Sequence, residues 1–342
     1  MYSHITSIKL LVCAVLLLLG ISSCTMMKED LANCPSGVLV TLEVAMDVEY
    51  RPKYSAQSFA DDLNNITLWV FDENNVFIEK FRENGNVLKQ NNNTMNLPID
   101  PGNYKMVVWT GIENLSFDVS NMIAGVSVMD DLKVRVVRDI SSRHNNKLPS
   151  VWNGCLDNVE VKPSEYTNLS IKLTKHTNTI ISVLQDVSGT ALDSDDYSYE
   201  IVAENGYMDY NSRLLSDADI TYSAYFVETS LVSDDNNASQ QLSVARAELN
   251  TLRLMANKPS RFVVTNKITG TTLLSINLTE YLLLTREYFN GSSGTTMSAQ
   301  AYLDYEDMYR IIFFIAPSSG NSYVLTSLNI NGWIIRVNNA EL

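Results

Sequence analysis

From Val38 onward every second residue is apolar. Val38, Val40, Leu42, Val44, Met46 and Val48 fall on one face, and Thr41, Glu43, Asp47 and Glu49 on the other. A period of two is the mark of a strand with one face buried. Short apolar runs of the same kind recur at residues 66–71, 76–78, 104–109, 159–161, 169–173, 179–184, 199–202, 249–254, 261–266, 271–276, 310–315, 323–330 and 333–337. Turn residues punctuate them: Asp72-Glu73-Asn74-Asn75, Pro101-Gly102, Thr269-Gly270 and Asn331-Gly332. Asn-Gly between apolar runs is a strong hairpin signal, because both central residues must take positive φ. Single helical turns are expected at 58–63, 279–284 and 298–306. Residues 90–93 and 230–239 read as polar loops, and 120–150 as irregular. Many short strands without crossover helices predict an all-β protein of sandwich type. A polar gap at residues 174–178 divides the chain into strand-rich halves, 36–175 and 176–342.

Ahead of this body stands Leu-Leu-Val-Cys-Ala-Val-Leu-Leu-Leu-Leu-Gly-Ile-Ser-Ser-Cys, residues 10–24, behind Lys9. The run is too short for a membrane span, which needs roughly 20 apolar residues, and fits the core of an export signal. Ser22 and Ser23 directly before Cys24 match a lipobox, so residues 1–23 are expected to be removed and Cys24 to carry diacylglycerol. An ordinary secretory signal with a chance cysteine is the alternative. Residues 24–35 then form a polar tether.

The net charge is −14, and removing the segment before Cys24 takes away only Lys9, leaving −15. Such a surface repels phosphate backbones, so nucleic acid is not an expected partner. Cys13 lies in the signal and Cys24 is the lipid site. In an oxidising compartment the remaining Cys34 and Cys155 read as one disulfide, with two buried free thiols as the alternative. Closing so long a loop would contribute about 4–5 kcal/mol.

Chemistry has little to work with. His144 and His176 lie in polar stretches with no partner at ligand spacing, and are expected at the surface. Asp193, Asp195 and Asp196, and Asp304, Glu306 and Asp307, lack the glycine-turned spacing of a calcium loop and read as solvated acidic loops. No nucleophile elbow or phosphate-cradling loop is present. The expectation is a non-enzyme with no cofactor and no metal. Seventeen tyrosines and four tryptophans could line a sugar-binding groove, but they are also ordinary sheet residues.

Several segments, taken in order, resemble the FimB-type fimbrial anchor subunits of the Bacteroidales, the lipoproteins of type V fimbriae. These are Glu29-Asp30-Leu31, Cys34-Pro35-Ser36-Gly37-Val38, residues 66–74, Pro101-Gly102-Asn103-Tyr104 with Val108-Trp109, and Leu173-Thr174-Lys175-His176-Thr177-Asn178 followed by Leu184-Gln185-Asp186. Residues 205–210, 249–255 and 281–285 and the ending from Asn331-Gly332-Trp333 to Leu342 extend the match. Trp152-Asn153-Gly154 departs from it, with Asn153 where members often carry histidine.

The resemblance implies two tandem transthyretin-like β-sandwich domains, no enzymatic activity, and a role in holding or capping a fimbrium at the outer membrane. The implied partners are fimbrial stalk or accessory subunits, with the lipid on Cys24 holding the chain in the outer membrane, exposed at the surface. Lys28-Glu29-Asp30 resembles the export signal that directs lipoproteins of this lineage outward. Contact with the next subunit is expected by strand addition, with Trp333, Ile334, Ile335, Arg336 and Val337 as the candidate segment. Cleavage at Arg51, the first arginine after Cys24, is not expected, so the strand from Val38 stays in place. The rival reading is a surface glycan-binding or adhesive lipoprotein on the same sandwich.

Overall fold

A computed structural model describes residues 37–44, 56–163, 165–234, 237–289, 294–318 and 323–336. The export signal, Cys24, the tether, Cys34, the strand expected beyond Val44, Arg51 and Val337 lie outside the described residues.

In the first half the strands are β1 (Gly37–Val44), β2 (Ile66–Asp72), β3 (Phe77–Glu83), β4 (Thr94–Leu97), β5 (Gly102–Thr110), β6 (Phe117–Val119), β7 (Lys133–Val136), β8 (Arg143–His144), β9 (Trp152–Val161) and β10 (Tyr166–Lys175). Seven of them form one sheet in the order β3-β2-β5-β9-β10-β1-β4. The sheet folds over a core that joins Val38, Val40, Leu97 and Ile171 to Ile66, Leu68, Val70 and Val108. β1 follows the expected alternation: Val38 and Val40 are buried and Glu43 is exposed. It runs parallel to β10 and antiparallel to β4. The β2–β3 turn forms as expected, with Asp72 Oδ1 accepting from Asn74 N at 2.9 Å and Val76 N at 2.8 Å, and Asn75 at φ 66°. The two short strands expected at 159–173 are arms of one long hairpin, β9–β10. Two helices flank the sheet at Ala56–Asp62 and Gly85–Gln90. The second, capped by the Asn84 side chain, went unforeseen.

The second half holds β11 (Asn178–Asp186), β12 (Tyr197–Ala203), β13 (Tyr207–Asp209), β14 (Ile220–Ser223), β15 (Phe226–Asp234), β16 (Asn237–Thr251), β17 (Ser260–Asn266), β18 (Thr272–Asn277), β19 (Met308–Pro317), β20 (Tyr323–Ile330) and β21 (Trp333–Arg336). A six-stranded sheet, β15-β16-β11-β19-β20-β21, packs on a five-stranded one, β18-β17-β12-β14-β8. Phe262 and Phe313 stack between them at 5.5 Å. The helical turns appear at Leu278–Leu283 and Ala299–Tyr305. The loop expected at 230–239 is replaced by the long β15–β16 hairpin. Its polar residues look like loop, yet the backbone is held by pairing of Phe226–Ser233 with Gln241–Glu248. The all-β sandwich class is as expected.

The segment expected to be irregular is the most consequential departure. β6 and β7 form a three-stranded sheet with β13 of the second half, and β8 adds to β14. These strands are too short to show a period, and β7 and β8 find partners far away in sequence. Together they cover the outer face of β2 and β5. Thr67, Trp69 and Phe71 are therefore buried on one side of β2, while Ile66, Leu68 and Val70 are buried on the other. Trp69, Phe71, Val107 and Trp109 join one apolar core that continues through Val134 and Val136 to Leu249 and Phe313. The two halves share a core across residues 117–136.

Ionic contacts fasten the same junction. Lys175, at the end of β10, lies 2.8 Å from Asp62 and 2.8 Å from Asp307. Burial opposes its charge, but the two carboxylates outweigh that and raise its pKa. Arg253 holds Asp304 through two contacts of 2.8 Å. Asp304 and Asp307 are thus ion-paired anchors, which corrects the reading of that cluster as a solvated loop. The histidines also need correction, because both are buried. His144 lies in β8 with Nδ1 2.9 Å from the Val137 carbonyl. His176 is packed near Trp109, with ring centroids 6.1 Å apart. Burial, aided by the charge of Arg253, lowers its pKa to about 3, so it is neutral.

Candidate functional site: the C-terminal sheet edge

β21 is held from its turn. Asn331 and Gly332 take φ of 50° and 93°, as an Asn-Gly hairpin requires. The Asn331 side chain reaches back to β19: Oδ1 accepts from Arg310 N at 2.8 Å, and Nδ2 donates to Met308 O at 3.2 Å. Gly332 N donates to Asn329 Oδ1 at 2.8 Å. β21 then pairs with β20 alone and ends the six-stranded sheet. Its outer N–H and C=O groups have no neighbouring strand among the described residues.

Edge strands usually carry devices that discourage further pairing, such as charge, proline or a bulge. β3, the edge of the first sheet, exposes Glu79, Lys80 and Arg82, and Arg82 pairs with Glu113 at 2.5 Å. β21 presents Trp333, Ile334 and Ile335 instead. Trp333 is 43% and Ile334 70% exposed, and Ile335 packs partly against the core. Trp333 lies face to face with Tyr288, ring centroids 3.6 Å apart. Tyr288 belongs to the turn Arg286–Tyr288 and carried no signal in the sequence. Of the candidate segment, Trp333 to Arg336 form this edge, and Val337 lies beyond the described residues.

The other tryptophans, Trp69, Trp109 and Trp152, are buried and build core, not a groove. Asn153, the departure from the resemblance, clamps the two halves: Nδ2 donates to Val108 O at 3.0 Å and to Tyr210 O at 3.1 Å. Asp193 is used locally, accepting from Asp195 N at 3.0 Å and Thr229 Oγ1 at 3.2 Å. Among the described residues no three His, Cys, Asp or Glu side chains are grouped to hold a metal.

Cys155 is a free thiol, and the strand register counts against its pairing with Cys34. Thr174 lies opposite Asn153, which puts Cys155 level with Lys172 and hence with Glu43 of β1. Gly37 is six residues back along β1, about 20 Å away at the rise of a strand. The three residues to Cys34 reach at most about 11 Å, and a disulfide needs Cα atoms within about 7 Å. Cys155 Sγ instead donates to Tyr210 O at 3.4 Å. Burial, with Asp157 and Asp209 nearby, pushes its pKa up to about 12.

The profile of the Mfa2 family, described as fimbrillin-A associated anchor proteins Mfa1 and Mfa2, matches residues 31–339. A candidate adhesin from Bacteroides thetaiotaomicron is similar in structure, with a TM-score of 0.76 and 28% identity over 90% of this chain and 100% of that one. A candidate polysaccharide-binding protein of the same organism is also similar, with a TM-score of 0.73 and 28% identity over 88% and 98%. The fimbrial anchor protein Mfa2 from Porphyromonas gingivalis, at 18% identity over 89% and 100% and a TM-score of 0.66, shares the fold. No curated protein matches the sequence.

Proposed function

Because the chain belongs to the family of fimbrillin-A associated anchor proteins, we propose that it is a lipid-anchored subunit that fastens a fimbrium to the outer membrane. Cys24 carries the lipid, residues 24–35 are the tether, and 36–175 and 176–342 are the two sandwich units. The acyl chains of a bacterial lipoprotein hold far better than one chain, which anchors only reversibly. A partner subunit adds a strand beside β21. The observation that carries this reading is the edge itself: an apolar strand with a free hydrogen-bonding side is a template for pairing.

Deleting residues 333–342 is expected to leave a membrane-bound protein that no longer retains fimbriae; unchanged retention would overturn the strand-addition reading. Cys24→Ala is expected to move the protein out of the membrane fraction, and its continued presence there would overturn lipid anchoring. The mature protein is expected to keep Arg51 uncut. Cleavage there would sever the lipid and β1 from the rest of the chain unless a Cys34–Cys155 bridge retained them.

A glycan-binding role is the second reading. It is favoured by the exposed Trp333–Tyr288 pair and by the likeness to a candidate polysaccharide-binding protein. Trp333→Ala separates the two: loss of glycan-array binding with fimbriae still retained would favour the second reading.

A further inference from the structure

The outward face of the six-stranded sheet is apolar and no described strand packs on it, so Val183, Ile312 and Phe314 stay half-buried, with Val244 buried at its floor. Alternate residues of β11, β16, β19 and β21 point there, and Val183, Val244, Ile312, Phe314 and Ile334 line a trough of about 670 Å³. The register makes the row continuous: Ile334 faces Asn329, Asn329 faces Ile312, and Ile312 faces Val183. None of these apolar residues belongs to either core, although their immediate neighbours Leu184, Ile311 and Phe313 do.

The molecule contains its own precedent for what such a face needs. β2 and β5 also carry apolar residues on both sides, and there the outer side is covered by an extended segment bearing Phe117, Val134 and Val136. The second sheet has the same two-sided composition without such a cover among the described residues.

We infer that this trough receives an extended, apolar segment of the neighbouring fimbrial subunit, one that also carries an acidic residue. The inference rests on the fimbrial reading above and names the chemistry of the partner. Two observations choose this occupant over a second copy of the chain. First, the trough is lined by two arginines and no carboxylate, in a chain of net charge −14. Arg246 is held by Glu228 and Glu248, whereas Arg310 makes no ion pair among the described residues. Second, six strands about 4.8 Å apart, with outward residues about 6.8 Å apart in two or three rows, offer on the order of 400–600 Å². A stable association of globular copies buries roughly 800 Å² per partner, whereas an extended segment needs less. Ile334 lies both on the edge and on this face, so a strand added beside β21 can continue into the trough.

The test uses full-length protein extracted in detergent and fimbriae sheared from the producing cells. Ile312→Lys and, separately, Arg310→Glu are compared with deletion of 333–342. Both substitutions are at outward positions that leave β21 in place. The expected result is at least a tenfold loss of fimbrial binding for each, with the thermal transition unchanged. The hydrophobic dye ANS should bind the parent protein and lose most of that signal in Ile312→Lys. If Ile312→Lys unfolds, Arg310→Glu decides alone. Parent-level binding by the folded substitutions, with loss on deletion of 333–342, overturns this inference and leaves the edge reading standing. Loss in the substitutions but not in the deletion supports the trough and overturns strand addition. A parent dimer that Ile312→Lys converts to monomer assigns the face to a second copy and overturns the proposal. So does ANS binding that appears only when residues 337–342 are removed, which would make the chain's own end the occupant.

Discussion

The outer face of β2 and β5 and the outer face of β11 and β19 are built from the same kind of residue. Trp69, Phe71, Val107 and Trp109 line the first, and Ile181, Val183, Ile312 and Phe314 the second. The first lies under β6 and β7 and is fully buried. The second is only half-buried, with Ile181 buried and Val183, Ile312 and Phe314 partly accessible. A continuous apolar run in a strand therefore states that both sides are to be covered, but not by what. In one sheet the cover comes from the same chain, and in the other no described residues supply it. Burial on folding stabilises the monomer, whereas burial on association leaves its contribution for the partner.

Mutations on the two faces should separate this difference. Trp109→Ala lies in the core that both halves share and is expected to cost about 3–5 kcal/mol in urea unfolding, lowering one common transition. If only half of the signal shifted, the halves would not be coupled through that core. A sharper version uses adjacent residues of one strand. Phe313 is fully buried between the sheets and Phe314 lies on the open face. Phe313→Ala should again cost about 3–5 kcal/mol and Phe314→Ala no more than about 1 kcal/mol. Equal losses would mean that the open face is already covered in the monomer.

Acid probes the covered side. His176 is held neutral, its pKa lowered to about 3 by burial and by Arg253. The unfolded chain takes up a proton near pH 6.5 and the folded one does not. This contribution is therefore fully present above pH 6.5 and is lost as pH falls towards 3, at up to about 1.4 kcal/mol per unit. His176→Gln should flatten the slope of unfolding free energy between pH 6 and 4, and an unchanged slope would contradict the assignment. The smallest effect concerns Cys155. With its pKa at about 12, maleimide at pH 7 should label it only after denaturation, and the intact mass should show no loss of two hydrogens. Rapid native labelling, or a Cys34–Cys155 crosslinked peptide, would reverse that conclusion.

How far the sequence carried this picture depended on whether the deciding contacts were local. The alternation of β1 and the Asn331-Gly332 turn are properties of a few neighbouring residues, and both were legible. So were the helical turns at Ala56–Asp62, Leu278–Leu283 and Ala299–Tyr305, whereas Gly85–Gln90 was missed although Asn84 caps it. β6, β7 and β8 were not, because two to four residues carry no period, and the partners that place β7 and β8 are some 70 residues away. His144 and His176 stand in polar sequence, and only the packing of distant strands makes them core. The candidate edge was half legible. The hairpin could be read from its turn, whereas its place at the end of a sheet follows from β11 crossing to lie beside β19. Tyr288 and the open face had no local signal.

The parallel pairing of β1 with β10 has a mechanical consequence. If the tether ahead of Gly37 bears the pull of a fimbrium, the load enters β1 at Gly37, and β10 passes it on at Lys175, the opposite end of the pair. All eight residue pairs from Gly37–Tyr166 to Val44–Leu173 are then strained together in shear. Peeling would break them one after another at low force, whereas shear requires many to fail at once. Lys175, clamped between Asp62 and Asp307, stands where that tension crosses into the second half.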